Sequence, residues 1–458
     1  MVYALRLARV SLALKSLLMF AVLSALLVWL PSAAFGGTTK GSFIVVLKPS
    51  TADPAGAATQ LANRFGGRLG YVYSHALRGF SVELNPAAAD ALAHAPGVAS
   101  VTPDAPVDAT GTPTIGPDPT PQIVPFPLVR IGADESSTAS GDGAGQVNVN
   151  VAVLDSGIDL EHHDLNVAGG INCANPQSKP SDYDDAFFHG TMVAGLIGAK
   201  DNSFGVVGVA PGAPLWAVRV LNDNGNGTDS NIICGIDWVT GTRTDADPTN
   251  DIAVANMSLG GKGADDGSCG LSKKADPIHQ AICRSTAAGV TYVVAAGNES
   301  QDEQSHVPAA YDEVLTVTAI GDTDGKPGGT GPVSPCIASQ PDDAPAGFSN
   351  FATLPADSAH TVAAPGVCTA TTWGDAKTSN IYGSGSGTSF AAPQVAGTVA
   401  LCVASGACAG LTPAQMVSKI VADAAAYNQA NPAYGFSGDP LHAPSSSYYG
   451  YLVRAGLY

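Results

Sequence analysis

Ser389 lies in the segment "GSGTSFAAPQVAG", Gly385 to Gly397, where a glycine-rich turn runs straight into an apolar stretch of small residues. Gly383, Gly385 and Gly387 each cost backbone entropy on a helix's doorstep. The pattern therefore suits a tight turn that presents a hydroxyl at a helix N-terminus, with room for another molecule. A serine hydroxyl is a weak nucleophile: it needs a neighbouring base, and the base needs a carboxylate to fix its tautomer and steady the imidazolium. Two other segments supply those groups. "VAVLDSGID" places Asp155 where an apolar run stops, with Gly157 permitting a sharp exit, and "FFHGTMVAGLIGA" places His189 just before a small-residue helix, with Gly190 allowing close approach. Taken singly, Asp155 reads as a turn or N-cap residue and His189 as a structural histidine. Together with Ser389 they are an acid, a base and a nucleophile, each at the edge of a regular element.

Such groups need a scaffold to hold them. The runs "VNVNVAVLD", "PLWAVRVL", "DIAVANMS", "VTYVVAAG" and "VLTVTAI" are apolar and β-branched, and "TMVAGLIGA", "SNIICGIDWVTG" and "DPIHQAICRSTAAG" between them are helical. The alternation predicts an α/β unit over 121–458, a mostly parallel sheet with helices on both faces, whose sites lie at the carboxyl ends of strands. "LTPAQMVSKIVADAAA" adds a surface helix with Thr412 as N-cap, Pro413 at the first position and Gln415 completing a capping box. Ahead of this unit, residues 37–107 read as a small α+β domain: a strand in "GSFIVVLKPS", a helix, two strands in "GYVYSHALRGFSVELN", a second helix, and a strand in "VASVTPD". The Pro-rich stretch 108–120 joins the two as an extended, accessible connector.

The chain has 458 residues, enough for more than one folding unit, and a net charge of −18 with only 21 Lys and Arg. Without clustered cations, nucleic-acid binding is excluded. Residues 1–36 have the layout of a secretory signal: cationic "MVYALRLARVSLALK", apolar "SLLMFAVLSALLVWL", then small residues. No later segment is apolar enough to span a bilayer, so a secreted protein is expected, extracellular or periplasmic, with no membrane attachment once the signal is removed. Export makes disulfides the natural reading of the eight scattered cysteines, with free buried thiols as the alternative. Sequence does not fix their connectivity. Pairing by proximity would give Cys269–Cys283, Cys336–Cys368 and Cys402–Cys408, leaving Cys173 with Cys234.

The segments around Asp155, His189 and Ser389 resemble the three signature segments of the subtilisin-like serine proteases, and their order in the chain is that family's order. Met192 and Gln394, where the family often has histidine, and Phe390, where methionine is usual, depart from the pattern at positions outside the triad. The resemblance runs from Gln122 to about Ala409 and implies a serine endopeptidase acting on protein or peptide substrates as a monomer. It makes Asn298, in "VVAAGNES", the side-chain oxyanion donor beside the Ser389 backbone N–H, and Gly297 a substrate-binding residue. It also makes Ser258, Leu259 and Gly260 one substrate-binding edge, and Gly225, Asn226 and Gly227 the other. It further implies a structural Ca²⁺ held by the side chains of Gln122, Asp164 and Asn202 and the carbonyls of Lys200, Phe204 and Val206, an oxygen-only set suited to a hard cation. The 37–107 unit is similar to the family's inhibitory propeptide, which blocks the cleft until self-cleavage, here expected between about Pro106 and Pro121. A noncatalytic peptide-binding protein would keep the cleft but usually lose a triad or oxyanion residue. An esterase of the α/β-hydrolase type would want a glycine where Ala391 stands.

Overall fold

The computed structural model describes residues 40–109, 111–116, 119–271, 275–375, 377–442 and 446–458. The expected signal over 1–36 lies outside the described residues. The first part is an antiparallel sheet with two helices on one face: β1 (Gly41–Leu47), α1 (Pro54–Arg64), β2 (Arg68–Tyr73), β3 (Gly79–Leu84), α2 (Pro86–Ala93) and β4 (Val98–Pro103), in the strand order β2-β3-β1-β4. Asp53 and Asn85 cap the two helices, each ahead of a proline that needs no donor at the first position.

The Pro-rich stretch is extended, as its composition predicts, but it is paired rather than an accessible connector. β5 (Pro106–Ala109) and β6 (Thr112–Gly116) are both strands. Proline lacks a donor but can still lie in a strand when its neighbours carry the ladder; Pro106 begins β5 and Pro113 is the second residue of β6.

The remaining elements form the large unit. Its strands are β7 (Val151–Asp155), β8 (Val167–Asn172), β9 (Leu215–Arg219), β10 (Asn226–Thr228), β11 (Val254–Met257), β12 (Leu259–Lys262), β13 (Thr291–Ala295), β14 (His306–Val307), β15 (Leu315–Gly321), β16 (Ala344–Pro345), β17 (Thr361–Pro365), β18 (Thr369–Asp375), β19 (Thr378–Ser386) and β20 (Tyr451–Leu452). Its main helices are α3 (His189–Gly198), α4 (Asp229–Thr242), α5 (Pro277–Ala287), α6 (Thr388–Ala404) and α7 (Pro413–Ala430). A nine-stranded sheet runs β20-β17-β15-β13-β11-β7-β9-β8 in parallel pairs, with β16 antiparallel to β15.

Side chains alternate across this sheet with the strand period of two. Val151, Val153 and Val293 join one core with α3 and α6, whereas Ala152, Leu154 and Val294 join a second with α4 and α5. Helices therefore cover both faces. The capping box on α7 forms as expected between Thr412 and Gln415. All eight cysteines pair: Cys173–Cys234, Cys269–Cys283, Cys336–Cys368 and Cys402–Cys408. Among the described residues no helix is long and apolar enough to cross a membrane.

The small domain packs on the α4–α5 face. Ile44, Val46, Tyr73 and Leu77 enter the second core. Asp237 of α4 accepts the backbone N–H groups of Ser74 (3.0 Å), His75 (2.7 Å) and Ala76 (2.7 Å). Asp104 in turn accepts the Ser230 N–H at the start of α4 (2.8 Å), where a carboxylate meets the positive end of the helix.

Candidate active site

Asp155 ends β7 and His189 begins α3, so the imidazole is the helix's first residue rather than lying ahead of it. Their approach depends on Gly190. A Cβ there would stand 2.0 Å from the Gly157 carbonyl oxygen. The His189 Nδ1 lies 2.8 and 2.9 Å from the two Asp155 carboxylate oxygens, with both residues almost wholly buried. The Ser156 N–H donates to Asp155 Oδ1 at 2.7 Å, fixing the carboxylate from its other side.

Asp185 was not singled out by sequence reasoning, yet it organises this corner. Its carboxylate accepts from the backbone N–H groups of Phe187, Phe188 and Thr191 and from the hydroxyls of Thr191 and Ser156. It thereby satisfies the orphan donors at the N-terminus of α3. Burial pushes its carboxyl above the ordinary range, while those hydrogen bonds pull it down. Phe188 holds φ at 124°, unusual for a non-glycine residue, and its ring is stacked between Phe187 and Trp373 at 4.1 and 4.7 Å.

Ser389 is fully buried in the first turn of α6. Gly385 makes room for this turn, since a Cβ there would fall 2.1 Å from the Phe390 ring. The Ser389 hydroxyl donates to the Ser258 carbonyl oxygen (3.1 Å), and the Ser258 hydroxyl donates to the Ser389 carbonyl (2.9 Å). The His189 ring meets the ring of Phe390, the next residue along, at 5.8 Å between centroids. Gln394, another departure from the family pattern, is buried and donates to the Pro365 and Phe390 carbonyls.

Asn298 follows β13. Its Oδ1 accepts the Thr388 N–H (2.8 Å) and the Thr388 hydroxyl (3.0 Å). With the oxygen held from that side, the amide's NH₂ turns the other way. The first turn of a helix directs its N–H groups outward at the N-terminus, and in α6 that turn includes Ser389. Asn350, also unforeseen, clamps the strand exit: its Oδ1 accepts from the Glu299 and Gln301 N–H groups and its Nδ2 donates to the Ala296 carbonyl. Neither Asp185 nor Asn350 belongs to a quoted motif; "DDAFFHG" carried the only signal, an acid four residues before the histidine.

The two sequence-predicted substrate edges face each other across β5. Asn226, Gly227 and Thr228 pair antiparallel with Asp108, Val107 and Pro106, and Leu259 and Gly260 pair antiparallel with Ala109 and Asp108. The Ala109 N–H donates to the Gly225 carbonyl at 2.9 Å. Beyond them a cavity of about 520 Å³ lies between Leu259–Gly261 and Ala295–Gly297. Glu299 and His306 also line it, with His306 Nε2 3.0 Å from Glu299 Oε2.

The six residues expected to hold calcium converge. Gln122 Nε2 lies 2.8 Å from the Lys200 carbonyl, 3.1 Å from those of Phe204 and Val206, and 3.4 Å from Asn202 Oδ1. An amide NH₂ has two protons and cannot satisfy four acceptors, so these oxygens surround a point better suited to a cation. Asp164 adjoins them, accepting from Asn202 Nδ2 (2.7 Å) and the Val206 N–H (3.1 Å). Desolvation pushes its carboxyl up to about 6. The donor set, one carboxylate with neutral oxygens, fits calcium.

A model of the subtilase family matches residues 146–437, and one of the peptidase inhibitor I9 family matches residues 42–110. Subtilisin DY of Bacillus licheniformis is 36% identical over 283 residues, covering 61% of this chain and 84% of its own length. Subtilisin E of Bacillus subtilis (strain 168) is 36% identical over 283 residues, 61% of either chain. An alkaline protease of Alkalihalobacillus alcalophilus is 33% identical over 321 residues, 70% of this chain and 68% of its own.

Proposed function

The chain belongs to the subtilase family of serine endopeptidases, and on that premise we propose that it is a secreted, calcium-stabilised peptidase made as a self-cleaving precursor. Ser389 Oγ attacks the scissile carbonyl carbon while His189 Nε2 takes the hydroxyl proton. Asp155 stays ionised at Nδ1, holding the tautomer and steadying the imidazolium. The developing oxyanion is met by Asn298 Nδ2 and the Ser389 N–H at the positive end of α6. His189 then gives its proton to the leaving amine as the C–N bond breaks, and water releases the acyl group by the reverse sequence.

One observation carries the reading: β5 occupies the cleft as a substrate would, paired on both edges. The ladder sets Ala109 opposite Leu259, the residue after Ser258, and Ser258 exchanges two hydrogen bonds with Ser389. On the far side, a Cβ on Gly111 would lie 2.7 Å from the Phe390 ring and 3.3 Å from the Ser386 carbonyl oxygen. These contacts support the bond between Thr110 and Gly111 as the one cut, within the interval expected from sequence. Residues 37–110 are then the inhibitory propeptide and the rest the mature enzyme. The four disulfides support export, since such bonds persist in oxidising compartments.

Gln122, Asp164 and Asn202 with the carbonyls of Lys200, Phe204 and Val206 would hold Ca²⁺, whose charge would offset a desolvated carboxylate and tie the loop after α3 to the start of the large unit. A fluorophosphonate should label the mature protein at Ser389 alone, and mixed peptides should be cleaved. A protein that neither labels nor cleaves would refute the assignment.

A further inference from the structure

The loop from β12 to α5 carries two adjacent carboxylates, Asp265 and Asp266, which the mechanism above does not use. His279, in the first turn of α5, is 1% exposed and aims Nδ1 at both: 3.4 Å from Asp265 Oδ1 and 3.3 Å from Asp266 Oδ1. Among the described residues that nitrogen has no hydrogen-bond partner. The rest of the ring is fixed. Nε2 lies 2.7 Å from Glu313 Oε2, and the ring stacks on Tyr311 at 4.2 Å with planes 3° apart.

We propose that Asp265, Asp266 and His279 form a second metal site, one for Zn²⁺. A charge-assisted hydrogen bond from Nδ1 would be about 2.7–2.9 Å long and aligned; neither contact is. A tetrahedral ion with bonds of about 2.0–2.1 Å has ligand–ligand edges of about 3.3–3.4 Å, and both N···O separations have that length. Glu313 supplies the outer carboxylate of a carboxylate–histidine–metal arrangement: it draws the ring proton to Nε2 and leaves the Nδ1 lone pair facing the ion. The nearby sulfurs of Cys269 and Cys283 are bonded to each other and are not thiolate ligands. The Asp265 and Asp266 side chains are 18% and 13% exposed, so an ion can enter and water can complete its shell. The imidazole nitrogen separates this set from the oxygen-only calcium ligands. Because the loop begins where β12 ends, the ion fastens the segment after the substrate edge onto α5.

The test uses the full chain carrying Ser389→Ala, stripped with chelator, re-equilibrated with excess Ca²⁺ and titrated calorimetrically with Zn²⁺. Co²⁺ is added separately and read by its visible spectrum. The expected result is Zn²⁺ uptake with intense tetrahedral Co²⁺ absorption. Asp265→Asn combined with Asp266→Asn should weaken it at least about a hundredfold, and Glu313→Gln about 10–100-fold. His279→Ala removes a core ring, so the carboxylate pair carries the test, with near-UV circular dichroism verifying the fold. No Zn²⁺ uptake, or uptake that survives the double carboxamide variant, overturns the proposal.

Discussion

The backbone N–H of Ala109 donates to the Gly225 carbonyl oxygen at 2.9 Å while Leu259 pairs with the same residue from the opposite side. The chain thus grips one of its own strands with both edges of its cleft. Main-chain pairing of this kind gives affinity without demanding particular side chains, which suits a site that first holds its own precursor and later other peptides.

Asn298→Ala should lower kcat with KM nearly unchanged, because the amide donor meets charge that develops only in the transition state. The expected loss is about 10²–10³-fold, the range known for the same donor in a subtilisin. Steady-state kinetics on a peptide amide checks it. A large rise in KM at constant kcat would place Asn298 in ground-state binding instead.

If the cavity lined by Glu299 and His306 receives the side chain on the acyl side of the cut, that preference should depend on pH. The hydrogen bond to His306 holds the Glu299 carboxyl below its ordinary value, and the same bond raises the His306 imidazolium above 6.5, with Lys262 opposing. The pair's stabilisation is present between those two titrations. It is lost as pH rises through the His306 value, where the imidazole becomes neutral and leaves the carboxylate uncompensated. The kcat/KM ratio of a lysine substrate to its glutamine counterpart should therefore climb with pH, and Glu299→Gln should flatten it. A flat ratio in the unsubstituted enzyme would contradict this.

Chelation should lower Tm and added Ca²⁺ should restore it. Ion at about 100 times Kd contributes roughly 2.7 kcal/mol. Asn202→Ala and Asp164→Asn should each blunt the response in differential scanning calorimetry. A Tm indifferent to Ca²⁺ in the parent chain would remove calcium from the account.

The five β-branched runs, the intervening helices and the capping box on α7 were legible in the sequence because periodicity and end signals agreed locally. The placement of Asp155, His189, Ser389 and Asn298 at the ends of those elements was legible through their motifs. Asp185 and Asn350 were not: each acts by receiving or donating hydrogen bonds across the fold, and a lone acid or amide in a loop has no pattern that reveals its partners. Proline content hid β5 and β6, since strand formation there comes from pairing with β10, β12 and β19 rather than from local propensity. The Ser389 hydroxyl's contact with Ser258 likewise depends on packing of α6 against the end of β11, which sequence does not express.

Intact-mass and N-terminal analysis of the chain folded in vitro, with and without Ser389→Ala, tests the central claim most directly. The account predicts that the unsubstituted chain yields a new N-terminus at Gly111 and that the Ser389→Ala chain stays whole. Cleavage of the Ser389→Ala chain at that bond, or a primary cut away from it in the unsubstituted chain, would contradict the account.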